Sequence, residues 1–418
     1  MKIKTIPTLI IILLLPSYVA AIIDNTQEVK EWAVAVQPRI FHEPGTHEEI
    51  KSHKNTDNLL AYYSRYGLET KDRRSVLIKL NNSKDAPAID ESKPDEGATI
   101  IEQQEILDES DEDDETDYLV EINGFSEIAY SSTRSDDGDE ESKDLFGSLD
   151  VTLNLDNKVL FYTSMLQDIN NDLSVDEAIV AWSVLPDDKL DLLLGKQYLP
   201  FGIYLSNMIT FPFTYDLGIT NLDKVLQATI GSDLIEFSGY IFEGNSRKTG
   251  GAGKHKNGFG LSISHFSDAF EVGAGFLSNL AESEGALTQD VAKKIPALSI
   301  NGSVRIGNFA LIGEHVSALK PFLPDDLEEE ITEEAKPSAN HLELNLILPN
   351  SGILALMWTE SNDAEELEFS KSAFGATYTQ PIYKYIYGGI EIIRDRDYDG
   401  FQETTFSIRI SVDFEAFY

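Results

Sequence analysis

The last residues of the chain alternate without interruption. Phe406, Ile408, Ile410, Val412, Phe414 and the terminal Tyr418 fall on one parity, and Ser407, Arg409, Ser411, Asp413 and Glu415 on the other. A period of two sends one set to each face of an extended strand. The same pattern recurs back through roughly three hundred residues. It is seen at Leu149, Val151, Leu153 and Leu155, at Ala178, Val180, Trp182 and Val184, at Phe270, Val272, Ala274 and Phe276, and at Leu342, Leu344, Leu346 and Leu348. Alternation alone also describes the half-buried strand of a soluble sandwich, so the connections between strands have to decide.

Short polar turns at 155–158, 186–189, 231–233, 266–269, 307–308, 349–352 and 380–382 alternate with long segments at 133–146, 167–174, 199–223, 243–257, 281–295, 319–340, 361–368 and 394–401. A sandwich has no reason to place every tight turn at one end. A transmembrane barrel does, with short turns on the periplasmic side and long loops outside. Seven turns and eight loops join about sixteen strands of about ten residues, an even number wide enough for an aqueous lumen. The expected fold is therefore all-β, a transmembrane antiparallel barrel over 117–418 with apolar residues toward lipid and polar ones toward the lumen. Aromatic residues at strand ends (Tyr130, Tyr198, Phe237, Phe276, Trp358, Tyr378, Phe406, Tyr418) suit the interfacial girdles.

The rest of the chain agrees with export. Residues 1–21 carry two lysines, an apolar run and small residues before position 21, the signature of a secretory signal peptide. Residues 22–116 are polar and mostly irregular, with one helical spacing at Leu59, Tyr62, Tyr63 and Tyr66, and they end in a nearly solid acidic stretch. That stretch repels itself and buries nothing, which marks 22–116 as a periplasmic extension and linker. With 33 basic against 72 acidic residues the net charge is −39, which excludes nucleic acid as a partner. The absence of cysteine removes disulfides, thiolate metal sites and cysteine nucleophiles. None of the seven histidines stands in a metal-pair spacing or beside a nucleophile elbow, so the chain reads as no enzyme and needs no cofactor.

The most distinctive stretch is 195–220, G-K-Q-Y-L-P-F-G-I-Y-L-S-N-M-I-T-F-P-F-T-Y-D-L-G-I-T. Pro200 and Gly202 end the strand ladder there, and the aromatics that follow are free to fold back. This stretch resembles the G-K/R-Q-Y-x-P-F-G…N-M-I-x-x-P-x-T-x-x-L-G-x-T region of LbtU-family siderophore porins. Y-I-F-E-G-N at 240–245 and V-D-E-A-I-V at 175–180 resemble that family's neighbouring segments. The resemblance covers roughly 120–418. It implies uptake of a ferric siderophore across the bacterial outer membrane, without a plug domain and without direct energy coupling. A C-terminal aromatic closing an alternating strand likewise resembles the signal read by the barrel-assembly machinery. A general or anion-preferring porin for small polar solutes is the alternative, and a surface or structural barrel without transport a second.

Candidate functional residues follow. The basic loop with Arg247, Lys248, Lys254, His255 and Lys256 either binds an anionic ferric complex or is a solvated loop touching lipopolysaccharide. Lys196, Gln197, Tyr198, Phe201 and Asn207 form a constriction if the 199–223 loop folds inward, or close the barrel mouth if it does not. Arg305 and Arg409 fall on polar parity and should line the lumen, tuning ion selectivity or pairing with lumen carboxylates. Asp395, Asp397 and Asp399 open like a calcium loop, but Phe406 stands where its closing glutamate should be, and a hairpin tip is the simpler reading.

Overall fold

The computed structural model describes residues 120–418, except 136–137, 156–158, 169–172, 186–189, 233, 249–252, 254–256, 268, 284–290, 327–332, 368, 384 and 418. The expected signal peptide and the 22–116 extension lie outside the described residues. Sixteen strands follow one another: β1 Val120–Ser135, β2 Gly138–Asn154, β3 Val159–Asp168, β4 Ser174–Ser183, β5 Leu190–Tyr198, β6 Asn221–Gly231, β7 Ile235–Phe242 and β8 Gly258–Phe266. They continue as β9 Phe270–Leu277, β10 Ala297–Ile306, β11 Phe309–Ala318, β12 Ser338–Ile347, β13 Ile353–Asn362, β14 Ser372–Tyr383, β15 Ile386–Arg396 and β16 Gln402–Phe417. One short helix, α1 (Phe213–Gly218), sits in the connection between β5 and β6.

Each strand pairs antiparallel with its neighbours in sequence, and β1 closes the cylinder on β16 from Glu121↔Phe417 to Arg134↔Thr404. Closure leaves no free edge among the paired positions, the condition for backbone survival in hydrocarbon. The two parities then separate as the sequence requires. Ile408 and Ile410 are 43% and 46% exposed, whereas Ser407 and Ser411 on either side of them are at 2% and 1%. Phe237, Ile263, Ile300, Leu344, Trp358 and Ile392 share the outward, exposed side. A soluble protein would present this belt to water at a large cost per apolar area; a bilayer removes that cost.

Seven connections of two to six residues lie at one end: β2–β3, β4–β5, β6–β7, β8–β9, β10–β11, β12–β13 and β14–β15. At the other end the connections run from two residues (β1–β2) through five (β3–β4, β15–β16) to 22 (β5–β6). Two expectations need correction. Segment 133–146 is not a loop: β1 and β2 run on as one hairpin, paired to Ser135↔Gly138, because backbone pairing continues above the belt where side-chain alternation no longer matters. The last short connection follows Tyr383 and does not lie at 380–382, since Gln380 and Pro381 still pair with β15 and the register shifts between Pro381 and Tyr383.

Candidate functional site: a loop laid across the lumen

The 22-residue β5–β6 connection turns inward rather than outward, and its start shows how. At the end of β5 the register slips between Gly195 and Gln197. Gly195 has φ +147°, and a Cβ there would overlap the Ala178 carbonyl oxygen. Pro200 then brings no backbone N–H to a ladder. Gly202 has φ +90°, and a Cβ there would lie 2.8 Å from Glu314 Oε1. The P-F-G sequence thus lets the chain leave the wall and pass close to a carboxylate on β11.

Three glutamates on lumen-facing positions hold the loop. Glu314 on β11 accepts the Ile203 N–H at 2.8 Å and the Tyr204 N–H at 3.2 Å. Glu343 on β12 accepts the Ser206 hydroxyl at 2.7 Å and the Asn207 N–H at 2.9 Å, with Asn207 Nδ2 at 3.3 Å. Glu391 on β15 accepts the Ile209 N–H at 2.6 Å and the Thr210 hydroxyl at 2.7 Å, with Thr377 Oγ1 donating at 2.6 Å. Phe213 N–H donates to Thr359 on β13 at 3.2 Å. A turnless stretch inside a barrel leaves backbone donors that cost about 1–3 kcal/mol each if buried unpaired. The carboxylates, acceptor-only groups with room for several donors, satisfy them in pairs.

Packing fixes the rest. Phe201 and Leu217 are fully buried with Leu222, Leu277, Leu280, Phe322 and Val316, a dry cluster joining the loop to the connections after β9 and β11. Met208 packs with Ala355, Met357, Ala373 and Ile393 on the inner side of β13–β15. Phe211 stacks on Tyr215 at 4.2 Å, and Tyr204 meets Tyr215 edge-on at 5.9 Å. Burial pushes the Asp216 carboxyl on α1 up to about 6. The loop is fastened along β11–β15, and β1–β4 with β16 form the opposite wall. Arg409 of that wall is buried beside Glu127, with Nε 3.5 Å from Oε2.

The sequence-derived residues distribute as follows. Gln197 faces inward, fully buried, and donates to Gln227 at 2.9 Å. Tyr198 pins the loop's root, its N–H on Glu177 at 3.1 Å and its hydroxyl on Asp176 at 3.1 Å. Phe201 and Asn207 lie in the inward loop as described. Lys196 pairs in register with the exposed Ala178 on the outer face, where Nζ donates to the Val175 carbonyl at 2.8 Å, so it stands away from the lumen. Arg305 occupies an inward register position at the short-turn rim and is exposed. Arg247 and Lys248 are exposed on the β7–β8 connection, and Lys254, His255 and Lys256 lie outside the described residues. Asp397 closes a hairpin tip, receiving the Gly400 N–H at 3.1 Å and the Ser370 hydroxyl at 2.9 Å. Asp395 sits on β15 opposite Ala373 and Glu403, and Asp399 in the tip itself. Among the described residues no group of three metal-ligating side chains assembles.

The anchors Glu314, Glu343 and Glu391 escaped sequence reasoning. Each occupies a polar position of an alternating strand and looks like any lumen residue. The one available signal was an acid set among leucines, as in H-L-E-L-N-L at 341–346.

A closed sixteen-stranded barrel with a long connection folded into its lumen is the fold of bacterial outer-membrane porins. The chain is similar to the anion-selective porin from Comamonas acidovorans (TM-score 0.54, 13% identity, 71% of this chain and 99% of that one). It is similar also to the outer-membrane channel DcaP of Acinetobacter baumannii (TM-score 0.53, 13% identity, 71% and 97%) and to Salmonella typhi OmpF (TM-score 0.54, 10% identity, 71% and 98%). Among curated sequences it is 32% identical over 166 residues to a UPF0422 protein of Coxiella burnetii, covering 36% of this chain and 35% of that one. It is 25% identical over 291 residues to the UPF0422 protein lpp3030 of Legionella pneumophila, covering 60% of this chain and 53% of that one. The chain thus spans about a third to a half of the length of these relatives. No protein-family model matches it.

Proposed function

We propose that the protein is an outer-membrane channel through which small polar solutes diffuse, narrowed by its own β5–β6 loop. The observation that carries this reading is the loop's fastening by Glu314, Glu343 and Glu391. A surface barrel without transport gains nothing from three buried carboxylates spent on holding a strap across its interior. The anchored strap sets a fixed aperture, and aperture together with lining charge is how a passive pore selects. No plug domain is needed for this, nor direct energy coupling.

The narrower reading of the cargo is a ferric siderophore. It is supported by the motif that resembles siderophore porins: those residues, 195–220, form the strap and its roots, the part of the molecule that would meet a cargo. The basic loop of Arg247 and Lys248 is then an outer contact for the complex, and the iron stays coordinated by the siderophore. The test has two arms. Full-length protein reconstituted in planar bilayers should give stepwise conductance, and its absence overturns the channel reading. A deletion strain on iron-poor medium should recover saturable radiolabelled-iron uptake when the gene is returned with one siderophore. Recovery with none of the siderophores supplied, alongside normal conductance, leaves a general porin.

A further inference from the structure

We infer that the lumen passes cations in preference to anions, so that its cargo is cationic or uncharged. This deepens the channel reading and rests on it. Across from the strap, β1–β5 and β16 carry four described Lys or Arg residues: Arg134, Lys143, Lys196 and Arg409. The alternation assigns three of them to the outer parity: Arg134 pairs with Thr404, Lys143 with Tyr130 and Lys196 with Ala178. Only Arg409 of the four falls on the inner parity, and Glu127 already stands 3.5 Å from it. The inner parity of the same strands carries Glu127, Asp150, Glu177 and Asp191.

Two of these acids accept hydrogen bonds from neutral donors. Asp191 accepts the Ser183 hydroxyl at 2.7 Å, and Glu177 accepts the Tyr198 N–H at 3.1 Å. A neutral donor fixes a carboxylate without cancelling its field. The strap contributes nothing positive: its one charged residue between 199 and 220 is Asp216. A passing anion therefore meets Arg409 with a carboxylate at its side and Arg305 at the short-turn rim, while a cation meets more numerous carboxylates in low-dielectric walls that focus their field. For an iron–siderophore complex the consequence is specific. The complexes this lumen admits carry no net negative charge, and the basic outer loop cannot substitute for the lining inside.

The reversal potential of the full-length protein in planar bilayers under a KCl gradient at neutral pH reads this directly. The expected result is a potential of the sign for K⁺ permeating several-fold more readily than Cl⁻. Pairing Glu127→Gln with Asp150→Asn, near-isosteric changes on the lining, should shift that potential toward zero or across it, since Arg409 then loses its counter-charge. A wild-type potential at zero or of the Cl⁻ sign overturns the inference while leaving the channel standing. Absence of any conductance removes the channel reading itself, and the inference with it. The wild-type measurement decides the matter even if the double variant fails to insert.

Discussion

The interior of the barrel differs from one side to the other. Along β6–β13 the inner surface is apolar and dry toward the loop end, where Phe201, Leu217, Leu277, Leu280 and Phe322 pack as in the core of a soluble protein. Across the lumen, β1–β5 and β16 present Glu127, Ser148, Asp150, Ser164 and Arg409, with a smaller apolar group of Leu160, Ile179, Ala181 and Leu193. Both sides share the same outward apolar belt, so lipid contact does not explain the difference. The loops do. Where connections fold back they need a surface to bury against; where they do not, the inner parity stays polar and faces solute. One side is scaffold, and the other is lining.

Breaking the scaffold should have the largest effect. Phe201→Ala empties the centre of the dry cluster and should cost about 3–5 kcal/mol, the usual range for a buried aromatic. It should appear as a lower thermal midpoint of the detergent-solubilised barrel by circular dichroism. Glu391→Ala comes next, with a loss of about 1–3 kcal/mol, because lumen water replaces only part of what the Ile209 and Thr210 donors lose. Unlike the phenylalanine change, it frees one end of the strap, and larger, noisier single-channel steps should accompany the lower midpoint.

Asp216 makes the scaffold side respond to pH. Burial raises its folded-state value to about 6, above its ordinary 3.8, so folding favours the neutral form. Its favourable contribution is complete below about pH 4 and is lost as pH rises through about 6. Asp216→Asn should therefore raise the thermal midpoint at pH 8 and leave it unchanged at pH 4; an equal shift at both would contradict a buried charge. The smallest effect belongs to the outer rim. Lys224 and Glu243 form a 2.8 Å pair with both side chains largely in solvent, and Lys224→Ala should not move the midpoint measurably.

Much of this was legible in the sequence, and for identifiable reasons. The belt was, because a period of two is the direct image of a wall with lipid on one side and solute on the other. Sixteen strands followed from turn spacing alone. The β1–β2 hairpin extension was missed because Asp139, Glu140, Glu141 and Ser142 stand above the belt with both faces exposed, which erases alternation while the backbone still pairs. The turn after β14 was misplaced because Pro381 reads as a ladder breaker, and here it marks a register shift. Phe201 and Asn207 were recognisable in the strap because aromatic and amide residues beside Pro and Gly announce an irregular segment. Their partners were not, since Glu343 lies 136 residues from Asn207 and no local pattern joins them. Lys196 was grouped with the strap by its place in the motif, whereas on β5 it continues the outer parity of Leu192 and Leu194.

If the proposed channel is right, the strap sets its aperture. Single-channel conductance of the wild type beside the Glu343→Ala/Glu391→Ala double variant, at equal salt and voltage, tests it most directly. Small, uniform steps are expected for the wild type and larger, fluctuating ones for the variant. Identical steps from the two proteins would contradict it.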